Sequence, residues 1–203
     1  MRKNNKSFLT AIVILVMVIV LAVSLSERCN ICTESESGQP ADFYGTSREV
    51  SLNEMLDVAD QSNQVIYMPS ELPNNLKLTT IYLKDSPFIA IAVYSAEGNK
   101  DYKTAELTIQ ITPSTSSPTY NEIVSQIENS EYEIALEING WPVLVNEKAY
   151  VGSDKETREK YGDYFLLLTT WIDGMRYMLS CRTLITIEAV EMVGSMHLLQ
   201  KTS

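Results

Sequence analysis

The chain has 203 residues, with 26 acidic and 16 basic side chains and a formal net charge of −10 at pH 7. A surface of this sign repels nucleic acid and anionic lipid head groups, so the composition argues against a nucleic-acid-binding protein. The length is enough for one globular domain with its own core, in addition to a shorter terminal segment.

An apolar run covers residues 8–25, and Arg2, Lys3 and Lys6 precede it. As a helix with a rise of about 1.5 Å per residue, this run is about 27 Å long, which is close to the thickness of the bilayer core. All three cations lie on its N-terminal side. The positive-inside rule therefore places residues 1–7 in the cytoplasm and the rest of the chain outside, anchored to the membrane by this helix.

A cleaved secretory signal is the alternative interpretation of the apolar run. Residues 22–24 and 24–26 both have the small-x-small pattern of a cleavage site. The run is longer than the apolar region of most signals, which is about 7 to 15 residues, so we favour an uncleaved anchor. Both interpretations export the same domain from the cytoplasm.

Residues 26–48 are predicted to form a flexible linker. The segment is rich in Glu, Ser and Thr, contains Gly38 and Pro40, and shows no apolar periodicity. A composition of this kind cannot bury a core, so it favours an extended and mobile chain.

Cys29 and Cys32 form a C-x-x-C pair within this linker. Outside the cytoplasm they are candidates for a disulfide, within one chain or between two chains, and idle thiols are the alternative. Thr33 occupies the position at which a c-type haem motif requires His. The third cysteine, Cys181, lies in a predicted strand and is expected to be a small buried apolar residue.

The globular domain is predicted to begin near residue 49 with a helix. Ser51 and Glu54 have the spacing of a capping box. Apolar residues follow at helical spacing, at Leu52, Met55, Leu56 and Ala59. Four strands come next, at residues 65–68, 76–84, 88–94 and 104–112. The third of these is apolar on both faces, which indicates a central and covered strand.

A second helix is predicted to start at Thr119, where Glu122 completes another capping box. Its apolar stripe consists of Tyr120, Ile123, Val124 and Ile127. Two hairpins are then predicted, residues 131–150 with a turn at Asn139-Gly140 and residues 164–181 with a turn at Asp173-Gly174. The charged segment 152–163 between them is expected to be a loop.

A last helix is predicted from Thr186, with Glu188 in its first turn and an apolar stripe of Ala189, Met192, Val193 and Met196. These elements indicate an α+β fold, in which helices pack on one face of an antiparallel, twisted sheet of about six to eight strands. The expected organisation is a cytoplasmic tail at 1–7, an anchor or uncleaved signal at 8–25, a linker at 26–48 and an extracytoplasmic domain at 49–203.

Four stretches, "VIYMPSELP", "EINGWPV", "LTTWIDGMRYMLSC" and "ITIEAVEMVGSM", together resemble an uncharacterised family of extracytoplasmic domains. Its members follow a single membrane helix in anti-sigma-factor-like and other envelope proteins of bacteria and archaea. The matching positions are turn and core residues, at Pro69, Pro73, Asn139, Gly140, Trp171, Gly174, Tyr177 and the helix from Thr186. The resemblance implies a role outside the membrane in sensing, binding or envelope assembly, and it carries over no catalytic residue.

The residues themselves favour a binding module over an enzyme. His197 is the one histidine of the sequence, and we expect it at the surface, beside the last helix. No nucleophile elbow, phosphate loop or metal-spaced cluster is present, so we assign no catalytic residue, metal ligand or cofactor. Trp141 follows a tight turn and is the candidate for an exposed binding surface, whereas Trp171 is expected in the core.

The expected partner is an extracytoplasmic protein or ligand, with the membrane contacted through the N-terminal helix. Two alternatives stay open. One is an envelope hydrolase that uses carboxylate residues, because such residues need not be close in sequence. The other is a lipid or lipoprotein carrier with an apolar groove.

Overall fold

The computed structural model describes residues 46–152 and 154–200. The predicted anchor at 8–25, the cysteines Cys29 and Cys32, and most of the predicted linker lie outside these residues. Within them, no helix is both long enough and apolar enough to cross a membrane.

Strands and helices follow one another along the described part of the chain in a mixed order. In chain order they are β1 (Arg48–Val50), α1 (Leu52–Gln61), β2 (Tyr67–Pro69), β3 (Lys77–Lys84), β4 (Ile89–Ser95), β5 (Leu107–Pro113), α2 (Tyr120–Gln126), β6 (Glu133–Ile138), β7 (Trp141–Tyr150), α3 (Lys155–Tyr161), β8 (Tyr164–Ile172), β9 (Met175–Cys181), α4 (Thr186–Gly194) and β10 (Met196–Leu198).

Eight of the strands form one antiparallel sheet in the order β1-β3-β4-β5-β9-β8-β7-β6. Strands β2 and β10 pair separately, also antiparallel, with His197 opposite Met68. The α+β class and the antiparallel sheet are therefore confirmed. The central position predicted for β4 is also confirmed, since β4 lies between β3 and β5 and is buried on both faces.

The main hydrophobic core covers one face of the sheet. Alternate residues of neighbouring strands form rows across it, such as Ala92, Ile109, Leu179, Leu168 and Val145. Helices α1 and α4 contribute Met55 and Met192 to this core, and both side chains are buried. The apolar stripes predicted for these two helices therefore face the sheet.

The opposite face of β4 is also covered. Ile91 and Val93 pack there against Tyr102 and Ala105. Helix α3 is tied to this covering segment, because the Tyr161 hydroxyl donates to the carbonyl of Thr104 at 2.9 Å. The expectation that the helices lie on one face is therefore wrong for α3, whose residues were predicted as a loop.

Both predicted capping boxes are present. The Ser51 hydroxyl accepts from the amide of Glu54 at 3.3 Å, and the Glu54 carboxylate accepts from the amide of Ser51 at 2.8 Å. The same pair of bonds joins Thr119 and Glu122, at 3.3 and 2.7 Å. These reciprocal bonds satisfy amides that the first helical turn leaves without partners.

Further local predictions also differ from the structure. In α2 only Ile123 is buried, and two of its predicted stripe residues, Tyr120 and Val124, are exposed. Helix α4 ends at Gly194, so the predicted stripe residue Met196 belongs to β10. His197 is exposed, as predicted, but it lies in that strand instead of beside the helix.

Candidate binding surface

The turn between β6 and β7 places Trp141 at the end of the sheet. Asn139 and Gly140 both have positive φ, at 55° and 80°, which is the backbone of a type I′ hairpin turn. Trp141 is the first residue of β7 and lies opposite Ile138. Its side chain is half-buried against the main core, so one part of the indole remains accessible.

Trp141 is one of three side chains that form an aromatic and acidic group, which we name the Trp141 cluster: Tyr67, Trp141 and Asp173. The rings of Tyr67 and Trp141 meet edge to face, with centroids 5.5 Å apart and planes inclined by 75°. The Tyr67 hydroxyl donates to the Asp173 carboxylate at 2.8 Å. That hydrogen bond raises the pKa of the Tyr67 hydroxyl, because the carboxylate favours the protonated donor.

The backbone beneath the cluster is held by a buried hydroxyl. The Tyr67 amide donates to the hydroxyl of Tyr177 at 3.0 Å, and that hydroxyl donates to the Val65 carbonyl at 3.4 Å. Tyr177 is fully buried in the middle of the sheet. The position of Tyr67 is therefore fixed by the fold, and the cluster is preorganised.

Trp171 does not join this cluster. Its strand neighbours Thr170 and Ile172 are buried, whereas Trp171 is half-buried and points to the opposite face, across from Arg176. It also lies outside both hydrophobic clusters. The expectation that Trp171 is a core residue is therefore wrong, because strand alternation gives the core positions to its neighbours.

A second exposed feature lies along β6, the terminal strand of the sheet on this side. The exposed apolar residues near it, which we name the β6 edge surface, are Tyr132, Ile134, Ile185 and Ile187, at 37%, 40%, 63% and 60% exposure. The start of α4 lies beside this strand. The Thr186 hydroxyl donates to the Glu147 side chain at 2.7 Å, and the Glu147 amide donates to the carbonyl of Tyr132 at 2.8 Å.

A cavity of about 180 Å³ lies at the other edge of the sheet. It is lined by Val50, Ser51, Leu52, Leu78, Thr79, Thr80 and Ile81. This volume is below the roughly 300 to 1,000 Å³ of typical small-molecule pockets, and its lining contains no carboxylate. In residues 46–152 and 154–200, no group of three or more His, Cys, Asp or Glu is placed to hold a metal ion.

Cys181 is buried, as predicted, at 1% exposure. Burial raises the pKa of its thiol to about 12, so the thiolate that would act as a nucleophile is scarce at neutral pH. Cys181 therefore fits a packing role.

No protein family, curated protein or solved structure matches this chain. The sequence pattern identified Trp141 through the Asn-Gly turn before it. It did not identify Tyr67 and Asp173 as members of the same cluster. These two residues are 106 positions apart in sequence, and no local motif marks either of them.

Proposed function

We propose that this chain is a membrane-anchored domain on the extracytoplasmic side that binds a protein partner or ligand in sensing or envelope assembly. The Trp141 cluster is the observation that carries the proposal. Half-buried Tyr and Trp side chains provide large contact areas at low conformational cost, and each has a polar end. Asp173 adds an exposed carboxylate at the hydroxyl of Tyr67.

The role of the acidic side chains supports binding over catalysis. Hydrogen bonds from the amides of Ser51, Thr119 and Thr157 lower the pKa values of Glu54, Glu122 and Asp154, respectively. A general acid needs the opposite shift, toward the working pH. These three carboxylates instead act as ionised acceptors at helix starts.

Photo-crosslinking in intact membranes tests the binding surface. The full chain would carry p-benzoylphenylalanine at Trp141 or, as a control, at Tyr150, the exposed aromatic residue at the far end of the same strand. We expect a defined crosslinked product from position 141 and none from position 150. Equal products at both positions, or none at position 141, would contradict the proposed surface.

Protease accessibility tests the topology. The proposal rests on the apolar run at 8–25 and the cations before it. Protease added to intact spheroplasts is expected to degrade the domain, which should leave a short membrane-embedded fragment. A domain that resists protease until the cells are lysed would contradict the extracytoplasmic location.

Substrate screening tests the absence of catalysis. The purified protein would be incubated with peptidoglycan, polysaccharide and ester substrates, and no turnover is expected. Turnover that one Asp or Glu substitution abolishes without unfolding the domain would instead establish the hydrolase alternative.

A further inference from the structure

We infer that β6 is a docking edge for an extended segment of a partner protein, in which basic and apolar residues alternate and which adds to the sheet as a further strand. The inference rests on the proposed function and deepens it, because it names the surface and the chemistry of the partner. Strand addition of this kind gives affinity through main-chain hydrogen bonds and specificity through alternate side chains.

The first argument is that β6 lacks most of the features that protect an edge strand. Natural edges are blocked by proline, by lysine, by bulges or by very short strands. The six residues Glu133–Ile138 contain no proline and no basic residue, and their pairing with β7 is continuous in register. The opposite edge strand, β1, has three residues.

The second argument is the apolar surface on one side of this edge. Ile134 alternates with Leu136 and Ile138, which pack against the main core, yet Ile134 is exposed. Tyr132, directly before β6, is also exposed. Ile185 and Ile187 extend the same exposed surface onto the start of α4. Apolar side chains of an added strand would cover these groups, which burial from water favours.

The third argument is charge on the other side of the same strand. Glu133 and Glu137 alternate with the apolar residues, and Glu131 continues the pattern before the strand begins. The Glu133 side chain accepts from Asn146 at 3.4 Å, and Lys148 lies 3.9 Å from the centre of the Tyr132 ring. Basic residues in an added strand would lie opposite these carboxylates.

In the register centred on Ala135, the same charges argue against a second copy of this chain as the occupant. Antiparallel pairing of two β6 strands about Ala135 would place Glu133 of each copy directly opposite Glu137 of the other. Like charges in directly opposite positions are destabilising. The net charge of −10 on the chain adds to this repulsion and favours a basic partner.

The Trp141 cluster lies at the end of this edge, since Trp141 pairs with the last residue of β6, Ile138. An added strand that follows β6 therefore leads to the two aromatic rings. In this proposal, the strand supplies the main-chain contacts and the cluster supplies a side-chain anchor.

Hydrogen–deuterium exchange of the full chain in detergent micelles tests the inference. The probe is a short synthetic peptide in which Lys and Val alternate, and the control peptide has the same composition with Lys and Val in separate blocks. The alternating peptide is expected to slow exchange at residues 133–138 and to bind about tenfold more tightly than the block peptide. Equal binding of the two peptides would mean unspecific charge attraction and would overturn the inference.

Matched variants locate the site. Ile134→Lys places a charge on the edge, and Leu78→Lys adds the same charge at 38% exposure in β3, away from the edge. Ile134→Lys is expected to weaken binding of the alternating peptide by about tenfold, whereas Leu78→Lys leaves it nearly unchanged. Equal effects of both variants would contradict the edge site.

Two outcomes separate this inference from the proposed function. A crosslink at position 141 with no protection of residues 133–138 by the peptide would overturn the docking edge and leave the binding function intact. Self-association of the full chain that Ile134→Lys abolishes would overturn the basic partner, because the occupant would then be a second copy.

Discussion

The backbone amide of Tyr67 donates a hydrogen bond of 3.0 Å to the hydroxyl of Tyr177, although 110 positions separate the two residues. This bond joins the short strand β2 to the centre of the large sheet. Burial raises the pKa of the Tyr177 hydroxyl well above its ordinary value, so it remains protonated in the folded protein.

Replacement of Tyr177 by Phe is expected to destabilise the protein. It removes one hydroxyl and leaves the Tyr67 amide without this acceptor, which should lower the free energy of unfolding by about 1–3 kcal/mol. Urea unfolding followed by circular dichroism would measure this difference. Tyr164→Phe is the control, because Tyr164 is 56% exposed, and equal stability of the two variants would contradict a structural role of the bond.

The features that the sequence predicts correctly are those that depend on contacts between residues close in sequence. Ser51 with Glu54, and Thr119 with Glu122, mark helix starts through bonds that span three residues. The Asn139-Gly140 pair predicts a turn because both residues tolerate positive φ. Such signals need no knowledge of the rest of the fold.

Local signals in the sequence mark both ends of helix α3. Asp154 is its N-cap and accepts from the Thr157 amide at 2.8 Å, and Gly162 follows the last helical residue. The high density of charged residues in this segment nevertheless favours a loop when only the sequence is considered. The helix forms because Thr157 is buried and bonds to the carbonyl of Lys103, a contact 54 positions away.

The pairing of β10 with β2 had no such signal. Beside it, the carbonyl of Ser195, directly after α4, accepts from the Ser70 hydroxyl at 2.9 Å, a contact across 125 positions. The Trp141 cluster has the same origin. Tyr67 and Asp173 meet Trp141 through the packing of elements that are distant in sequence. The local sequence pattern therefore identifies Trp141 but not Tyr67 or Asp173.

The double variant Glu54→Gln and Glu122→Gln should change how stability depends on pH. Amide hydrogen bonds lower both pKa values below the ordinary 4.5. A lowered folded pKa stabilises the protein above the unfolded value, and this stabilisation is lost as the pH falls through the folded pKa. The variant should therefore be less stable than the original protein near neutral pH and should lose less stability on acidification.

Urea unfolding near pH 7 and at acidic pH values down to about 2.5 would compare the two proteins. Glu71→Gln is the control, because Glu71 is exposed and lies outside the helices. The stability difference between the double variant and the original protein should become smaller at acidic pH. If it is the same at neutral and acidic pH, ionisation of the two capping carboxylates does not cause it.

The thiol of Cys181 should not react in the folded protein. In a background with Cys29→Ser and Cys32→Ser, Cys181 is the single thiol of the chain. Its burial and raised pKa predict that iodoacetamide labels it only after unfolding in urea, as detected by mass spectrometry. Labelling of the folded protein at a rate similar to that of the unfolded chain would mean that this part of the core opens readily.

Two glycines should respond differently to replacement by alanine. Gly174 lies in the β8–β9 turn at φ +77°, and a Cβ there would meet no atom within 4 Å. The cost of an alanine at this position is therefore conformational only, and Gly174→Ala should lower the free energy of unfolding by about 1 kcal/mol.

Gly194 ends α4, and a Cβ there would lie 3.7 Å from the side chain of Ile138, an ordinary van der Waals contact. Gly194→Ala should therefore be neutral or stabilising by up to about 1 kcal/mol, because alanine restricts the unfolded chain more. Thermal unfolding of the two variants would give shifts in Tm of opposite sign or a shift for Gly174→Ala alone. A larger loss for Gly194→Ala would mean that α4 and β6 are packed too closely for one methyl group.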